Sequence, residues 1–559
     1  MTPASQGDVL VLAYGHEMPA LAIIRSLGRK GVPVTLGFVS PHSLARESRY
    51  VHRQLPMPDP IYNVQRWIEW LRKHLAENPY EAVFPVGDST IVPLHYFRKE
   101  FSPPPPILMA NEREYIFSYN KLETIRAAIR LGVPIPRTVE LHQESEIEQV
   151  LASVEKDFPL ILKPYTSKLI KDNRVVFLQV AVAEGKDEFR EQAKRLLTNG
   201  PILVQEACRG HEVGQEFLLK NGEVVAECQH ERIHEQFGGG MGCYRCTAPM
   251  DPTLRERSLS LLRTVSWSGV ATVEYLTEGG NPPILMEING RFWGSLPLQI
   301  AAGVDYPWLW LQMVKGRDLP PPGAYPAPIY SRNLERDLVW IRKNLRTRRS
   351  GPLARRVSGW KIATEVLHVF SGREHFDELT RDDPRPGKWF LSSLLKRIRR
   401  KMAFTLLRLP LMNGGYVRRS ARRLKQAGRI VVVCKGNTCR SPFLAEYFRQ
   451  RTAQLGIHLA PVHSRGLLQH DGTPSPEIAI LTAKTFAVDL TSHTSKQLAG
   501  DERDGSDVFI LVDPSHVEEL FAWHGQPCPQ VVFWGLLDEE LRSPTIPDPD
   551  HSDSDAYRR

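Results

Sequence analysis

A chain of 559 residues, 42% hydrophobic and 24% charged, is long enough for three or four compact domains that each bury a core, and reads as ordinary soluble globular protein. Seven cysteines, an odd and sparse set, argue against a disulfide framework and for a reducing cytoplasm, while no signal-peptide pattern opens the sequence and no uncharged apolar run approaches the roughly 18 to 20 residues that span a bilayer. The net charge of +9 is concentrated, because Arg385 to Arg429 holds fourteen Lys and Arg and no Asp or Glu; without those fourteen the charge becomes −5, which predicts a local anionic partner and no specific nucleic-acid binding.

Along the chain, VLVLAY (Val9 to Tyr14) is an apolar run of strand length, and Leu21, Ile24 and Leu27 give the next segment helical spacing that Gly31 stops. VPVTLGFV and EAVFPVG continue a strand-helix-strand rhythm, which predicts a parallel sheet, and the Pro-rich FSPPPP ends the unit. LILKP, ILVQE, VGQEFLL, VVAECQH and ILMEING then read as strands separated by helical stretches, an α+β arrangement. Residues 334–428 lack strand patterning and read as a charged connector. From RIVVV at 429, strand and helix alternate again to the end of the sequence. The expected division is therefore 1–116, 117–333, 334–428 and 429–559.

In the first half, Lys121 in YNKLET and Lys163 at the end of LILKP could meet ATP phosphates as point charges. ILVQEACRGHE reads as an edge strand whose backbone at Gln205, Glu206 and Ala207 can hydrogen-bond adenine, with Glu212 facing the ribose hydroxyls. Glu274, Glu287 and Asn289 offer oxygen ligands suited to Mg²⁺ bridging the β- and γ-phosphates, and Arg291 follows on the same face. Taken in this order the residues resemble the ATP-grasp enzymes, particularly the synthetase domain of carbamoyl phosphate synthase, over roughly 5 to 320, with Glu287, Asn289 and Arg291 matching the family's E-x-N-x-R motif. The resemblance implies a Rossmann-like domain before a two-lobed ATP-grasp domain. It further implies that Glu274, Glu287 and Asn289 bind metal (Mg²⁺, with Mn²⁺ able to substitute), and that Arg291 steadies the phosphoryl group in transfer, in a ligase joining a small-molecule carboxylate to an amine. One departure is that PYTSKLIKDNR, after Lys163, has no glycine where many relatives use glycines to approach the phosphates.

Two motifs in this region mislead. HERIH (His230 to His234) spells a zinc signature that requires a helix, but its context is β-like, which would put both histidines on one strand face. Cys243 and Cys246 form a lone C-x-x-C, read as part of a flexible substrate loop, with GGGMG beside it letting backbone approach the acceptor.

The most specific motif is VVVCKGNTCRSP. Cys434 and Arg440 flank five residues directly after an apolar strand, so that a thiolate lies at the base of a loop of inward backbone N–H groups with a guanidinium closing it, a grip for three phosphate oxygens. The helix N-terminus at Ser441 and Pro442 and the nearby Arg favour the thiolate form that acts as nucleophile. CKGNTCRSP resembles the loop of the low-molecular-weight protein tyrosine phosphatases, C-x-G-N-x-C-R-S-P, and SRG, DLTSHTSKQL with His493, and DVFILVDPSHVEEL follow in family order over about 130 residues. That resemblance implies a doubly wound parallel-sheet domain acting on a phosphomonoester substrate. Lys435, Gly436, Asn437, Thr438, Cys439 and Ser441 would line the phosphate, with Asn437 holding the strained loop and Cys439 able to trap an oxidised Cys434. Asp548 of TIPDPD would be the general acid. Gln469 and Asp550 stand where family members place aromatic walls, the sequence stops eleven residues after Asp548, and only Cys528 is left to serve an arsenate-reductase chemistry.

The two resemblances together imply a bifunctional ligase and phosphatase; a phosphotransferase paired with a reversing phosphatase, and a nucleotide sensor controlling the phosphatase, remain open alternatives. KWFLSSLLKRIRRKMAFTLLRLPL (388–411) alternates apolar and basic clusters, so it reads either as a solvated interdomain helix or as a segment lying on an anionic membrane surface at the inner face of the cytoplasmic membrane.

Overall fold

The computed structural model describes residues 7–15, 17–40, 42–101, 106–235, 242–279, 281–347, 356–468, 472–498, 506–524, 530–537 and 543–548. The chain divides into two units, Met1–Val39 with Leu44–Phe390, and Ser40–Ser43 with Leu391–Arg559.

The first unit opens with a four-stranded parallel sheet in the order Val51–Pro56, Val34–Phe38, Val9–Ala13, Ala82–Val86. All its strands but Val51–Pro56 are buried along their whole length, which is why they read as unbroken apolar runs rather than as alternation. The chain leaves the last of them through Gly87, whose φ of 81° suits glycine, and starts the helix Asp88–Tyr96, leaving Asp88 at the carboxyl end of the sheet. A four-stranded antiparallel sheet follows, ordered Thr138–Leu141, Ile202–Glu206, Leu160–Pro164, Ala181–Ala183, with helices Ile147–Val154 and Lys186–Leu197 closing its core. The larger sheet has seven strands, ordered Ile284–Asn289, Gly269–Thr277, His211–Lys220, Glu223–Glu235, Gly242–Ala248, Tyr330–Arg332, Glu374–Phe376. Helix Pro252–Arg263 packs its leucines against this sheet.

The last strand corrects one expectation. Residues 334–428 are not strand-free, because Glu374–Phe376 pairs in parallel with Tyr330–Arg332. Three residues are too few to leave a periodic signature. The first unit also extends to Phe390, beyond the expected start of a connector at 334 and into helix Pro384–Leu407, and the remainder carries the rest of that helix and helix Pro410–Gln426.

The second unit is a parallel sheet in the order Val462–Gly466, Arg429–Cys434, Asp507–Leu511, Val531–Phe533, with helix Arg440–Gln454 following the strand that ends at Cys434. The fold class is thus α/β and α+β, as the sequence predicts. Among the described residues no helix is long and apolar enough to cross a membrane.

Candidate active sites

In the second unit the strand Arg429–Cys434 delivers Cys434, 3% exposed, into the turn that becomes helix Arg440–Gln454. The backbone N–H of Asn437 donates to Cys434 Sγ at 3.2 Å, and Ser441 Oγ lies 3.0 Å from the same sulfur. Asn437 holds the loop with every group it has. It adopts φ 55°, its Nδ2 donates to Ser441 Oγ at 2.8 Å, its Oδ1 accepts from Lys496 N at 2.8 Å, and its carbonyl is 2.8 Å from His493 Nε2. Burial keeps His493 below the ordinary imidazole range, so at neutral pH the ring bonds that carbonyl as a neutral N–H donor. The carbonyl of Lys435 accepts from the N–H groups of Leu467 and Leu468. Arg440 donates to Ile546 O at 3.1 Å and forms an ion pair with Asp548. Cys439 is buried, occupies the N-cap position of the helix and is not in a disulfide.

In the first unit Glu274 and Glu287 face each other across paired strands, and Asn289 Nδ2 lies 2.9 Å from Glu287 Oε1 and 3.4 Å from Glu274 Oε1. From the smaller sheet and the helix Lys121–Arg130, the amines of Lys163 and Lys121 act electrostatically on Glu287. Burial lowers both amines below the usual lysine range, with Glu287 pulling them back up. Burial likewise opposes the Glu287 carboxylate, but Lys121, Asn289, Arg291 and Lys163 outweigh it and hold it below the ordinary range. Arg291 Nε donates to Asp88 Oδ1 at 2.7 Å, and the opposite oxygen of Asp88 takes Lys168 Nζ at 3.0 Å.

The family model described as low molecular weight phosphotyrosine protein phosphatase matches residues 429–559, and the model described as ATP-grasp in the biosynthetic pathway with Ter operon matches residues 198–335. The chain joins an ATP-grasp domain to a low-molecular-weight phosphotyrosine phosphatase domain. Both are families of enzymes. Similar proteins include the low molecular weight protein-tyrosine-phosphatases Etp and Wzb of Escherichia coli strain K12. Etp is 28% identical over 128 residues, 23% of this chain and 81% of that protein. Wzb is 28% identical over 120 residues, 22% and 76%. Among solved structures, N5-carboxyaminoimidazole synthetase from Staphylococcus aureus aligns with a TM-score of 0.48 at 14% identity, over 66% of this chain and 98% of that one. L-amino acid ligase from Bacillus licheniformis aligns with a TM-score of 0.42 at 16% identity, over 55% and 74%.

Within the ATP-grasp domain the structure revises four readings. The strand Ile202–Glu206 is interior, paired on both sides, and not an edge; the N–H groups of Glu206 and Ala207 already donate to Arg137 and Pro159, and the Gln205 amide to Thr138. The backbone route expected for adenine is therefore taken at those N–H groups. Glu212 lies on the same sheet face as Glu274 and is paired with Arg232, which also reaches Glu274 at 3.3 Å. Burial and the neighbouring Glu274 push the Glu212 carboxyl well above its usual range against the pull of Arg232. HERIH is strand, as expected, but its histidines do not share a face. A bulge between Arg232 and His234 reverses the alternation, so that His230 stands 2.6 Å from Glu216 while His234 turns to the other side, between Asp337 at 2.7 Å and Glu365 at 2.8 Å. The His230–Glu216 contact has ion-pair distance without hydrogen-bond angle. Cys243 and Cys246 belong to the regular strand Gly242–Ala248, not a loop, three residues apart and hence on opposite faces; burial pushes both thiols up to about 12. Residues 238–241 of GGGMG lie outside the described residues, as do Gln469, Cys528 and Asp550.

The glycine-free segment after Lys163 forms a hairpin, Lys168–Lys171 with Arg174–Phe177, turned by Asp172 and Asn173 at φ 50° and 60°. Asn173 fastens it to the start of helix Val64–Glu77 through bonds to Val64 N and Gln65 N, which brings Lys168 to Asp88. Asp88, Lys168 and Arg232 were not identified from sequence. The signal for Asp88 was its place directly after a parallel strand, where such sheets carry their functional groups. Arg232 had none, because only the ladder register puts it beside Glu212.

The donor set fits a hard divalent cation. Glu274 and Glu287 bring carboxylate oxygens to one place and Asn289 turns its amide Nδ2 to both, so that a cation between the carboxylates would take Asn289 Oδ1 once that amide turns over; no thiol or imidazole is among them. Among the described residues no three His, Cys, Asp or Glu side chains form a cage by themselves, so phosphate oxygens would have to complete the coordination.

Proposed function

We propose that the chain is a bifunctional enzyme: an ATP-dependent carboxylate ligase working through an acyl phosphate, joined to a cysteine-dependent phosphomonoesterase. The observation supporting the ligase most directly is the convergence of Lys121, Lys163 and Arg291 on Glu287, because a buried carboxylate ringed by cations suits a triphosphate better than it suits a purely structural core. Lys121 and Lys163 would bind the phosphates, and Glu274, Glu287 and Asn289 would hold Mg²⁺. The ion would neutralise charge on the β- and γ-phosphates. Arg291, fixed by Asp88, steadies the phosphoryl group as the substrate carboxylate attacks the γ-phosphorus and the bond to ADP breaks. An amine then attacks the carbonyl carbon and inorganic phosphate leaves.

In the phosphatase domain Cys434 Sγ attacks phosphorus, Arg440 and the loop N–H groups take the equatorial oxygens, and Asp548 gives its proton to the leaving oxygen. The Arg440–Asp548 ion pair opens to admit the phosphate. Water, deprotonated by Asp548, then frees the cysteine. The covalent link raises the effective concentration of one site for the other, which favours a phosphorylated substrate or product of the ligase as the phosphatase substrate. The sequence supports a non-aromatic ester, with Gln469 and Asp550 in place of aromatic walls.

An ADP-release screen over carboxylates with and without amine nucleophiles tests the ligase reading. Release that needs both substrates is expected; release with a single substrate would mean phosphotransfer, and nucleotide binding without release would mean a sensor. Hydrolysis of an aryl phosphate that Cys434→Ser abolishes tests the phosphatase reading, and unchanged turnover in that variant would refute it.

A further inference from the structure

From Leu391 onward, where it belongs to the second unit, helix Pro384–Leu407 has two dissimilar sides. At about 100° per residue, Leu391, Leu395, Ile398, Met402 and Leu406 fall within about 80° of arc. All five are exposed, between 42% and 63%. The opposite side is committed to the phosphatase domain: Arg400 donates to Pro514 O at 3.1 Å and stands 3.6 Å from Glu518, and the Phe404 ring meets Phe533 edge to face at 4.8 Å. Basic residues border the stripe. Arg399 and Lys401 flank it on either side, with Lys396 and Arg397 beyond them, all exposed, and helix Pro410–Gln426 adds exposed Arg418, Arg419 and Arg422. No acidic residue occurs from 385 to 429.

We propose that this face is a docking surface for an anionic lipid bilayer, with the helix lying in the plane of the interface. The apolar stripe enters the acyl boundary, and the bordering Lys and Arg extend their stems along it to place their charges at the lipid phosphates. Charge decides between occupants. A second copy of the chain would bring basic border against basic border, with no acidic residue to pair them, whereas interhelical seams use both signs. An anionic leaflet supplies the missing sign, each cation near the surface strengthening binding several-fold. The helix is not apolar enough to cross the membrane, so the association is peripheral and salt-sensitive.

Co-sedimentation of the full chain with phosphatidylcholine vesicles, with and without phosphatidylglycerol, tests the surface. Binding is expected to be roughly tenfold or more tighter to the phosphatidylglycerol vesicles and to weaken in high salt. The triple variant Leu395→Glu, Ile398→Glu, Met402→Glu should reduce it by roughly tenfold or more, with an unchanged far-UV spectrum. The variant Arg399→Gln, Lys401→Gln, which leaves the apolar stripe alone, should reduce the dependence on phosphatidylglycerol. Equal binding to both vesicles, absence of binding, or wild-type binding by the triple variant would overturn the proposal. So would a concentration-dependent oligomer that the triple variant abolishes while vesicles bind neither protein.

Discussion

Replacing Asn437 by alanine removes two side-chain hydrogen bonds, to Ser441 Oγ and from Lys496 N, and leaves a β-carbon-bearing residue at φ 55° without the amide that makes this conformation tolerable. Each bond contributes about 1 kcal/mol net, and the left-handed backbone costs alanine about 1 kcal/mol more, so the phosphatase domain should lose about 3 kcal/mol. Glycine at the same position loses the bonds but not the backbone conformation, so Asn437→Gly should cost about 2 kcal/mol and be the more stable variant. Both should turn over more slowly, roughly 10- to 100-fold, because the N–H that meets Cys434 Sγ belongs to this peptide and its aim depends on the loop. Urea titrations followed by aryl phosphate hydrolysis and by tryptophan fluorescence give both quantities on the full chain. An alanine variant as stable as the glycine variant, or both as stable as the wild type, would refute the reasoning.

Three further outcomes follow from the same geometry. Burial, reinforced by Arg440, lowers His516 to about 4; the unfolded chain therefore binds the extra proton first, and the fold loses stability as pH falls from about 6.5 towards 4, by at most roughly 3 kcal/mol. His516→Gln should flatten that part of a stability-against-pH curve, and an unchanged curve would exclude the buried neutral imidazole. Arg232→Met leaves the Glu212 and Glu274 carboxylates without their cation and should destabilise the ATP-grasp domain by about 3 kcal/mol. Adding Glu212→Gln should restore part of that loss in a double-mutant cycle read by thermal unfolding, and strict additivity would mean that the pair is not coupled. Asp548→Asn should slow hydrolysis of alkyl phosphates roughly 100-fold or more but affect nitrophenyl phosphate far less, whose leaving group needs no proton; equal losses for both would deny Asp548 the role of acid.

The phosphatase loop was legible in sequence because its chemistry is local: a strand, five residues and a helix start set the spacing of Cys434, Asn437 and Arg440. Glu287, Asn289 and Arg291 were legible for the related reason that alternate residues of a strand share a face. What lay beyond reading depended on pairing. Whether Ile202–Glu206 is an edge or an interior strand is decided by Thr138–Leu141, some sixty residues earlier, and nothing within ILVQE records it. The facing of His234 turns on a one-residue bulge. Lys168 reaches Asp88 only because Asn173 pins a hairpin to a helix from the preceding sheet. The seventh strand of the large sheet is too short to show a period.

The central claim, that the ATP-grasp domain activates a carboxylate, is tested most directly by trapping. Full-length protein, ATP, Mg²⁺ and a carboxylate that supports ADP release are incubated with hydroxylamine in place of the natural nucleophile. The account predicts a hydroxamate formed in equal amount to ADP, lost in Glu287→Gln and retained in Cys434→Ser. ADP release with a stable phosphate ester and no hydroxamate would contradict it.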